Sequence, residues 1–143
     1  MKIGTRTVYL QGSEDIKNGS GYCRMMSSSQ EYFEGALNNF QIYEGVLVLE
    51  NGDYYCGSFM NYLPNGYMQL TCANGDSFQG FMKLGEKQGK GRITWNDGSY
   101  YYGSFVGDLK HGDGIYQYPN RDIFRGSFKE DKKSGNGKFR AKN

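Results

Sequence analysis

The sequence predicts an all-β protein built from tandem β-hairpins, and three observations support this fold class. Glycine accounts for 22 of the 143 residues and aromatic residues for 16%, whereas disordered chains are poor in aromatic side chains. A 23-residue period repeats along the chain. Within each period, apolar and polar residues alternate, which is the pattern of a strand with one buried face.

The period is marked by a glycine that follows a large apolar residue by two positions. From Gly57 onward this key glycine recurs every 23 residues, and the preceding step, from Gly35, is 22 residues. The key glycines of the six predicted units are Gly12, Gly35, Gly57, Gly80, Gly103 and Gly126. We predict a single array over residues 1–143, in which the first two units are degenerate, as the terminal capping repeats of such arrays are.

A second pair of glycines follows the key glycine by nine and eleven positions. In the last three units the pairs are Gly89 with Gly91, Gly112 with Gly114, and Gly135 with Gly137. The Gly57 unit has Met68 in the second place, and the first unit offers Gly19 and Gly21. We expect both glycines of a pair to let a ring from an adjacent strand lie across the backbone. An alternative, compatible with the first, is that they permit bulges and bending.

The predicted strands are separated by turn signals such as Asn51-Gly52, Asn74-Gly75 and Asp97-Gly98. The first strand of a unit carries the key glycine on its apolar face, together with the residues two positions to either side. The second strand adds apolar residues thirteen and fifteen positions after the key glycine. Each unit is therefore predicted to contribute two strands with one apolar face.

The pattern Tyr-x-Gly-x-Phe followed by Gly-x-Gly, at a period of 23, resembles the membrane occupation and recognition nexus (MORN) repeat. Residues 101–105, Tyr-Tyr-Gly-Ser-Phe, and 111–114, His-Gly-Asp-Gly, match it almost residue by residue. The resemblance is close over 51–139 and looser over 12–50. It implies one elongated, twisted antiparallel β-sheet with an aromatic-lined groove. Met68 and the shortened first units depart from the pattern and leave the register of the N-terminal hairpins open.

The repeats occupy the sequence, so no segment is left to form a second layer over the apolar face. A one-layer sheet normally needs something packed on that face. Either the rings fill the groove themselves or another chain occupies it, and this predicts a protein partner. The side chains expected to line the partner-binding groove are Tyr55, Phe59, Phe78, Met82, Trp95, Tyr101, Phe105, Tyr118, Phe124 and Phe128.

Charge is unevenly distributed along the chain. Residues 1–82 hold four Lys or Arg against eight Asp or Glu, a net charge of −4, whereas residues 83–143 hold 13 against seven, a net charge of +6. The residues expected to form a basic patch are Lys129, Lys132, Lys133, Lys138, Arg140 and Lys142. The patch is interpreted either as a solvated terminus or as a site for an acidic protein, for head-to-tail association or for anionic lipid.

The sequence offers no catalytic constellation. The single histidine, His111, falls in a predicted turn, and Cys23, Cys56 and Cys72 are not clustered as zinc ligands are. Cys23 and Cys72 occupy positions that other units fill with apolar residues, and we expect them to be small core side chains. No helix follows the glycine pairs to complete a phosphate loop. We predict a protein that is not an enzyme and has no cofactor or metal; a net charge of +2 does not favour nucleic-acid binding.

Two functions from different classes follow. The leading hypothesis is a structural scaffold that clamps a segment of a partner protein in the aromatic groove. The resemblance implies a cytoskeletal or ciliary assembly, such as an axonemal radial spoke, and a cytoplasmic location; homodimers or head-to-tail contacts through the end repeats fit the same role. The alternative is a peripheral membrane module that docks to anionic phospholipids such as phosphoinositides. A cell-wall ligand-binding array is disfavoured because Trp95 is the only tryptophan and no signal peptide is recognised.

Overall fold

The described part of the chain, residues 8–12 and 17–143 of a computed structural model, forms one open antiparallel sheet of twelve strands. The strands are β1 (Val8–Gly12), β2 (Gly21–Ser27), β3 (Tyr32–Asn38), β4 (Gln41–Val48), β5 (Tyr54–Met60), β6 (Leu63–Thr71), β7 (Ser77–Lys83), β8 (Glu86–Thr94), β9 (Tyr100–Val106), β10 (Leu109–Gln117), β11 (Ile123–Lys129) and β12 (Lys132–Arg140). Their order in space is their order in sequence. The predicted all-β array of tandem hairpins is confirmed, and residues 1–7 and 13–16 of the predicted units lie outside the described residues.

Two kinds of turn connect the strands. Between units, one residue with positive φ closes the turn: it is a glycine at Gly52 (89°) and Gly75 (93°), where the sequence predicts turns, but Arg121 (71°) before β11. Within units, the hairpin tip has positive φ at two consecutive residues, as at Glu130 (49°) and Asp131 (69°). This backbone shape matches the right-handed twist of paired strands. The Asn-Gly and Asp-Gly signals therefore mark the joints between units, while the hairpin tips carry no such signal.

One register position runs straight across the whole sheet, with one residue from each strand. The residues of this glycine row are Gly12, Cys23, Gly35, Gly45, Gly57, Met68, Gly80, Gly91, Gly103, Gly114, Gly126 and Gly137. Ten of these twelve positions hold glycine, and each residue is the Cα partner of the next. The row therefore gives the N-terminal hairpins the register that the sequence leaves open. On β2 the row holds Cys23 and not Gly21, which corrects the alignment predicted for the first unit.

The apolar face of the sheet, which we call the ring face, covers itself with its own side chains; the opposite face is the outer face. The buried hydrophobic residues include seven side chains from the five odd-numbered strands β3 to β11, on either side of the row: Phe33, Phe59, Phe78, Met82, Tyr101, Phe105 and Phe128. Neighbouring rings meet edge to face, as Phe78 and Phe105 do at 5.8 Å between centroids. Such pairs add to the hydrophobic free energy of burial. The core of the described chain is thus one layer of side chains lying on one sheet.

The two glycines of each Gly-x-Gly pair have different tasks, so the expectation that both admit a ring is wrong for the first one. A Cβ at Gly91 would lie 2.6 Å from Cε2 of Phe78, whereas a Cβ at Gly89 would meet nothing within 4 Å. Gly89 instead has a φ of 76°, and the register of β7 and β8 shifts nearby. Left-handed backbone is costly for residues with a Cβ. The first glycine therefore permits a β-bulge, and the second admits a ring.

Met68 fills the row where a glycine is missing. Its side chain is fully buried, and its Cε atom lies 3.2 Å from the point where a Cβ at Gly57 would be. The methionine therefore covers Gly57 in the way that Phe78 covers Gly80 and Gly91. A flexible thioether chain suits such an irregular gap. Tyr55, which stands where later units place the covering ring, is only partly buried.

Carboxylates in several of the turns join neighbouring units. Oδ1 of Asp76 accepts a hydrogen bond from the Asn96 backbone N–H at 2.9 Å, and Oδ1 of Asp53 accepts one from Ala73 at 3.0 Å. At the other edge of the sheet, Oδ1 of Asp108 accepts from the Lys87 backbone N–H at 2.9 Å. The turn carboxylates look scattered in the sequence. In the structure, their hydrogen bonds to backbone N–H groups fix the spacing of consecutive hairpins.

Candidate functional site

The ten side chains predicted to line a partner-binding groove divide into two groups. Six are buried by one another in the isolated chain: Phe59, Phe78, Met82, Tyr101, Phe105 and Phe128. Four are partly exposed: Tyr55, Trp95, Tyr118 and Phe124. The buried group fills the groove and can reach a partner only if the core opens. The partly exposed group is the part of the prediction that offers a contact surface.

A continuous strip of partly exposed rings lies along the ring face of β8, β10 and β12. We call Trp95, Tyr116, Tyr118 and Phe139 the ring strip. Trp95 lies 5.6 Å from Tyr116 between ring centroids, Tyr116 lies 4.9 Å from Tyr118, and Tyr118 lies 6.2 Å from Phe139. Phe139 is 61% exposed. The strip is therefore an uncovered extension of the aromatic core towards the last strand.

Tyr116 and Phe139 are functional candidates that the predicted site residues leave out. Both stand thirteen residues after a key glycine, at the offset that Leu70 and Ile93 occupy in earlier units. The signal was therefore present, because apolar residues at this offset become rings in the last two units. What the sequence does not show is that these two rings stay at least partly exposed while Tyr101 and Phe105 are buried.

Lysines recur on the ring face at the same 23-residue period. Nζ of Lys87 lies 5.7 Å from the Phe78 ring centroid, and Nζ of Lys110 lies 5.9 Å from that of Trp95. Nζ of Lys133 lies 4.6 Å from the Phe124 ring and 4.9 Å from the Tyr118 ring. An ammonium group over an aromatic face is attracted by the ring quadrupole. The ring strip thus carries positive charge at its border.

Two of these three lysines also have carboxylate partners. Lys87 contacts Asp108 at 3.0 Å and Lys110 contacts Asp131 at 2.9 Å. Lys133, in contrast, has no carboxylate oxygen within 4.0 Å among the residues that the structure describes. The Lys133 ammonium donates a hydrogen bond to the Tyr118 hydroxyl, and it is the one in this series without a carboxylate partner among the described residues.

The structure does not bring the six residues of the predicted basic patch together on one face. Lys133 is the register partner of Phe128 and lies on the ring face. Lys138 and Arg140 are partners of Arg125 and Ile123 on the outer face. Lys129 pairs with Lys132 at the tip of the last hairpin, and the backbone N–H of Lys142 donates to Asp122 at 2.8 Å. The charges therefore face in different directions.

Two titratable side chains are strongly perturbed, and both have structural partners. Burial raises the pKa of Tyr101 to about 12, and its hydroxyl donates to the carbonyl oxygen of Ser104 at 2.9 Å. Hydrogen bonds from Tyr32, Tyr22 and Arg24 lower the pKa of Glu34 to about 2. Tyr101 belongs to the buried core, and Glu34 lies on the outer face of β3. Neither residue lies in the ring strip.

The described residues hold no cluster of three or more His, Cys, Asp or Glu side chains arranged to bind a metal ion. Cys23 is buried and burial raises its pKa, while Cys56 and Cys72 are partly buried. His111 is partly buried in β10. Within 8–12 and 17–143, no helix is both long enough and apolar enough to cross a membrane. The ring strip is therefore the candidate binding site among the described residues.

Comparison with known proteins agrees with the architecture of the described repeats. A family model described as MORN repeat matches four consecutive stretches, residues 55–77, 78–100, 101–123 and 124–143. Each stretch covers one unit keyed on Gly57, Gly80, Gly103 or Gly126, which are row positions of the sheet. No match to the chain is found among curated proteins.

Proposed function

Because the chain belongs to the MORN repeat family, a non-enzymatic repeat family with structural or interaction roles, we propose that it is a scaffold subunit that binds a partner segment along the ring strip. The observation that supports the proposal most is the chain of contacting rings from Trp95 to Phe139, of which three are partly exposed and Phe139 is exposed. Contiguous aromatic surface that solvent can reach is typical of interaction sites. The protein itself performs no chemistry in this role.

The surroundings of the strip define what the partner segment needs. Apolar side chains of the partner would complete the burial of the four adjoining rings, as at the centre of most protein interfaces. Lys133 has no carboxylate partner among the described residues, so an acidic residue near the end of the segment would form an ion pair with it. The partner is therefore an apolar segment of another protein with a carboxylate placed to reach Lys133.

We place the protein in a cytoskeletal assembly in the cytoplasm, with a ciliary structure such as a radial spoke as the specific case. The support is the family, together with the unbroken twelve-stranded array that the described residues form. Contacts between copies through the end repeats would extend such an assembly. These points are parts of the proposal.

The experiment compares strip variants of the tagged protein in its native cells. Tyr118→Ser with Phe139→Ser removes one partly exposed and one exposed ring of the strip, whereas Tyr67→Ser with Phe81→Ser removes two exposed rings of the outer face. We expect the wild type and the outer-face variant to be retained with defined proteins in the detergent-insoluble cytoskeletal fraction. The strip variant should be released. Equal retention of both variants would contradict the ring strip as the binding site.

A membrane role is the second candidate, and it is supported by the basic residues of the last unit. Polybasic anchoring needs about four to eight clustered charges, and here the six residues are divided between faces. Release of the wild-type protein into the detergent-soluble membrane fraction would favour this candidate over the scaffold. Binding to anionic vesicles that is lost in Lys132→Glu with Lys133→Glu would then assign it to the basic residues.

A further inference from the structure

The outer face carries a depression of about 610 Å³ over the glycine row of β9 to β12. Its floor is the backbone of Gly103, Gly114, Gly126 and Gly137, and its walls are the side chains next to the row. Three of the wall residues are cationic, namely Lys90, Arg125 and Lys138, and one is acidic, Asp113. This site faces away from the ring strip, so it is independent of the function proposed above.

The walls combine charge with an apolar centre. Tyr102 and Ile115 are register partners, and Arg125 and Lys138 continue the same line on β11 and β12. At the other end of the line, Arg92 pairs with Tyr102. The result is a ladder across five strands in which an apolar pair lies between cations at both ends.

The cations of this ladder are not neutralised within the chain. Among the described residues, the ladder cations Arg92, Arg125 and Lys138, like the wall residue Lys90, have no carboxylate oxygen within 4.0 Å, and the Arg92 guanidinium stacks 4.1 Å from the Tyr100 ring centroid. Asp113, the one acidic wall residue, accepts a hydrogen bond from the Ser127 hydroxyl at 2.8 Å. Tyr102 is 50% exposed. Unpaired positive charge around exposed apolar side chains is complementary to an acidic ligand with an apolar middle.

We propose that this depression binds an acidic peptide segment whose two ends carry carboxylates and whose centre is apolar. The ladder from Arg92 to Lys138 crosses four inter-strand steps of about 4.8 Å, or roughly 19 Å. An extended peptide rises about 3.3 Å per residue, so about six residues span it. The carboxylates meet the cations at either end, and the apolar centre packs on Tyr102 and Ile115.

The shape of the site favours a peptide over a lipid surface. The three cations stand in the walls of a depression, with apolar side chains between them. A flat layer of headgroups could not reach Ile115 between these walls. Membrane binding through basic residues uses about four to eight clustered charges, and the four cations here, Lys90, Arg92, Arg125 and Lys138, are at the lower end of that range.

The test uses the full chain and a labelled six-residue peptide of two glutamates, two leucines and two glutamates, with fluorescence anisotropy as the readout. We expect Lys138→Glu to weaken binding about tenfold or more, since it replaces attraction by repulsion at the site. The matched control is Lys83→Glu, which makes the same change in net charge at an exposed position at the end of β7, outside the depression. It should leave the affinity within about twofold.

A second comparison tests the apolar centre. Tyr102→Ser should weaken the leucine-containing peptide but leave an all-glutamate peptide of equal length unchanged. No measurable binding, equal loss in both lysine variants, or tighter binding to vesicles containing phosphatidylserine than to the peptide would each overturn the proposal. If the peptide does not bind to the depression, the proposal for the ring strip still stands, because the cytoskeletal retention of the Tyr118 and Phe139 variants tests that site separately.

Discussion

The ring of Tyr101 lies against the backbone of Gly114 on the neighbouring strand. A Cβ at Gly114 would come within 2.8 Å of Cζ of the tyrosine ring, and Tyr101 itself is completely buried. Phe78 stands in the same relation to Gly91, and Phe124 to Gly137. A repeated ring-on-glycine contact is thus how this one-layer sheet makes a core without a second layer.

The two glycines of one pair should respond differently to alanine. Gly114→Ala places a methyl group into the Tyr101 ring, and we expect a loss of about 3 kcal/mol in the free energy of unfolding. Gly112→Ala meets only Ser104 at an ordinary contact distance but strains a φ of 70°, so we expect about 1 kcal/mol. Urea denaturation of both variants measures the difference. Equal losses would show that the ring contact is not what requires Gly114.

Removing a buried ring should lower stability much more than removing a ring of the strip. Phe105 is 1% exposed and Phe139 is 61% exposed. Phe105→Ala should therefore lower the free energy of unfolding by about 3–5 kcal/mol, whereas Phe139→Ala should cost less than about 1 kcal/mol. Thermal unfolding gives the comparison. A large loss in Phe139→Ala would place that ring in the core and remove it from the proposed contact surface.

The turn carboxylates should be stabilising through geometry and not through charge. Asp76→Ala removes the acceptor for the Asn96 N–H, with an expected loss of about 1 kcal/mol in the free energy of unfolding. Asp76→Asn keeps one acceptor oxygen and should retain most of the stability. If the two variants lose the same free energy of unfolding, the negative charge of Asp76 stabilises the fold and its hydrogen bond with the Asn96 N–H does not.

Tyr101 should make the fold sensitive to alkaline pH. Its pKa is raised from 10.0 to about 12, so the folded state holds the proton more tightly than the unfolded state. The resulting stability is fully present below about pH 10 and is lost as the pH rises from about 10 to 12. Urea midpoints measured across this range should fall less steeply in Tyr101→Phe than in the wild type. Tyr102→Phe, at an exposed position, is the control and should follow the wild-type curve.

How far the sequence predicts this protein can be judged from particular residues. The 23-residue period and the alternation of apolar residues correctly predict two strands for each unit, and a ring lying across Gly91. They do not separate Gly89 from Gly91, because a glycine required by positive φ and a glycine required by a neighbouring ring look alike in a sequence. They also align the first unit on Gly21, whereas Cys23 occupies the glycine row.

The candidate site was predicted in part. Trp95, Tyr118 and Phe124 were expected to contact a partner and are partly exposed, but Tyr101 and Phe105 were expected beside them and are buried. Periodicity gives the face on which a ring lies. It does not give exposure, because exposure depends on whether rings from the next unit reach over the same position.

Local chemistry in the sequence determined the repeating hairpins, the turns between units and the apolar face, since each depends on residues within about one period. The tertiary structure alone decided the straight glycine row, the hydrogen bonds between turn carboxylates and neighbouring units, and the division of the basic residues between two faces. Each of these depends on which residues of neighbouring strands become partners. Because successive strand residues point to opposite faces, a register shift of one residue exchanges the ring face and the outer face.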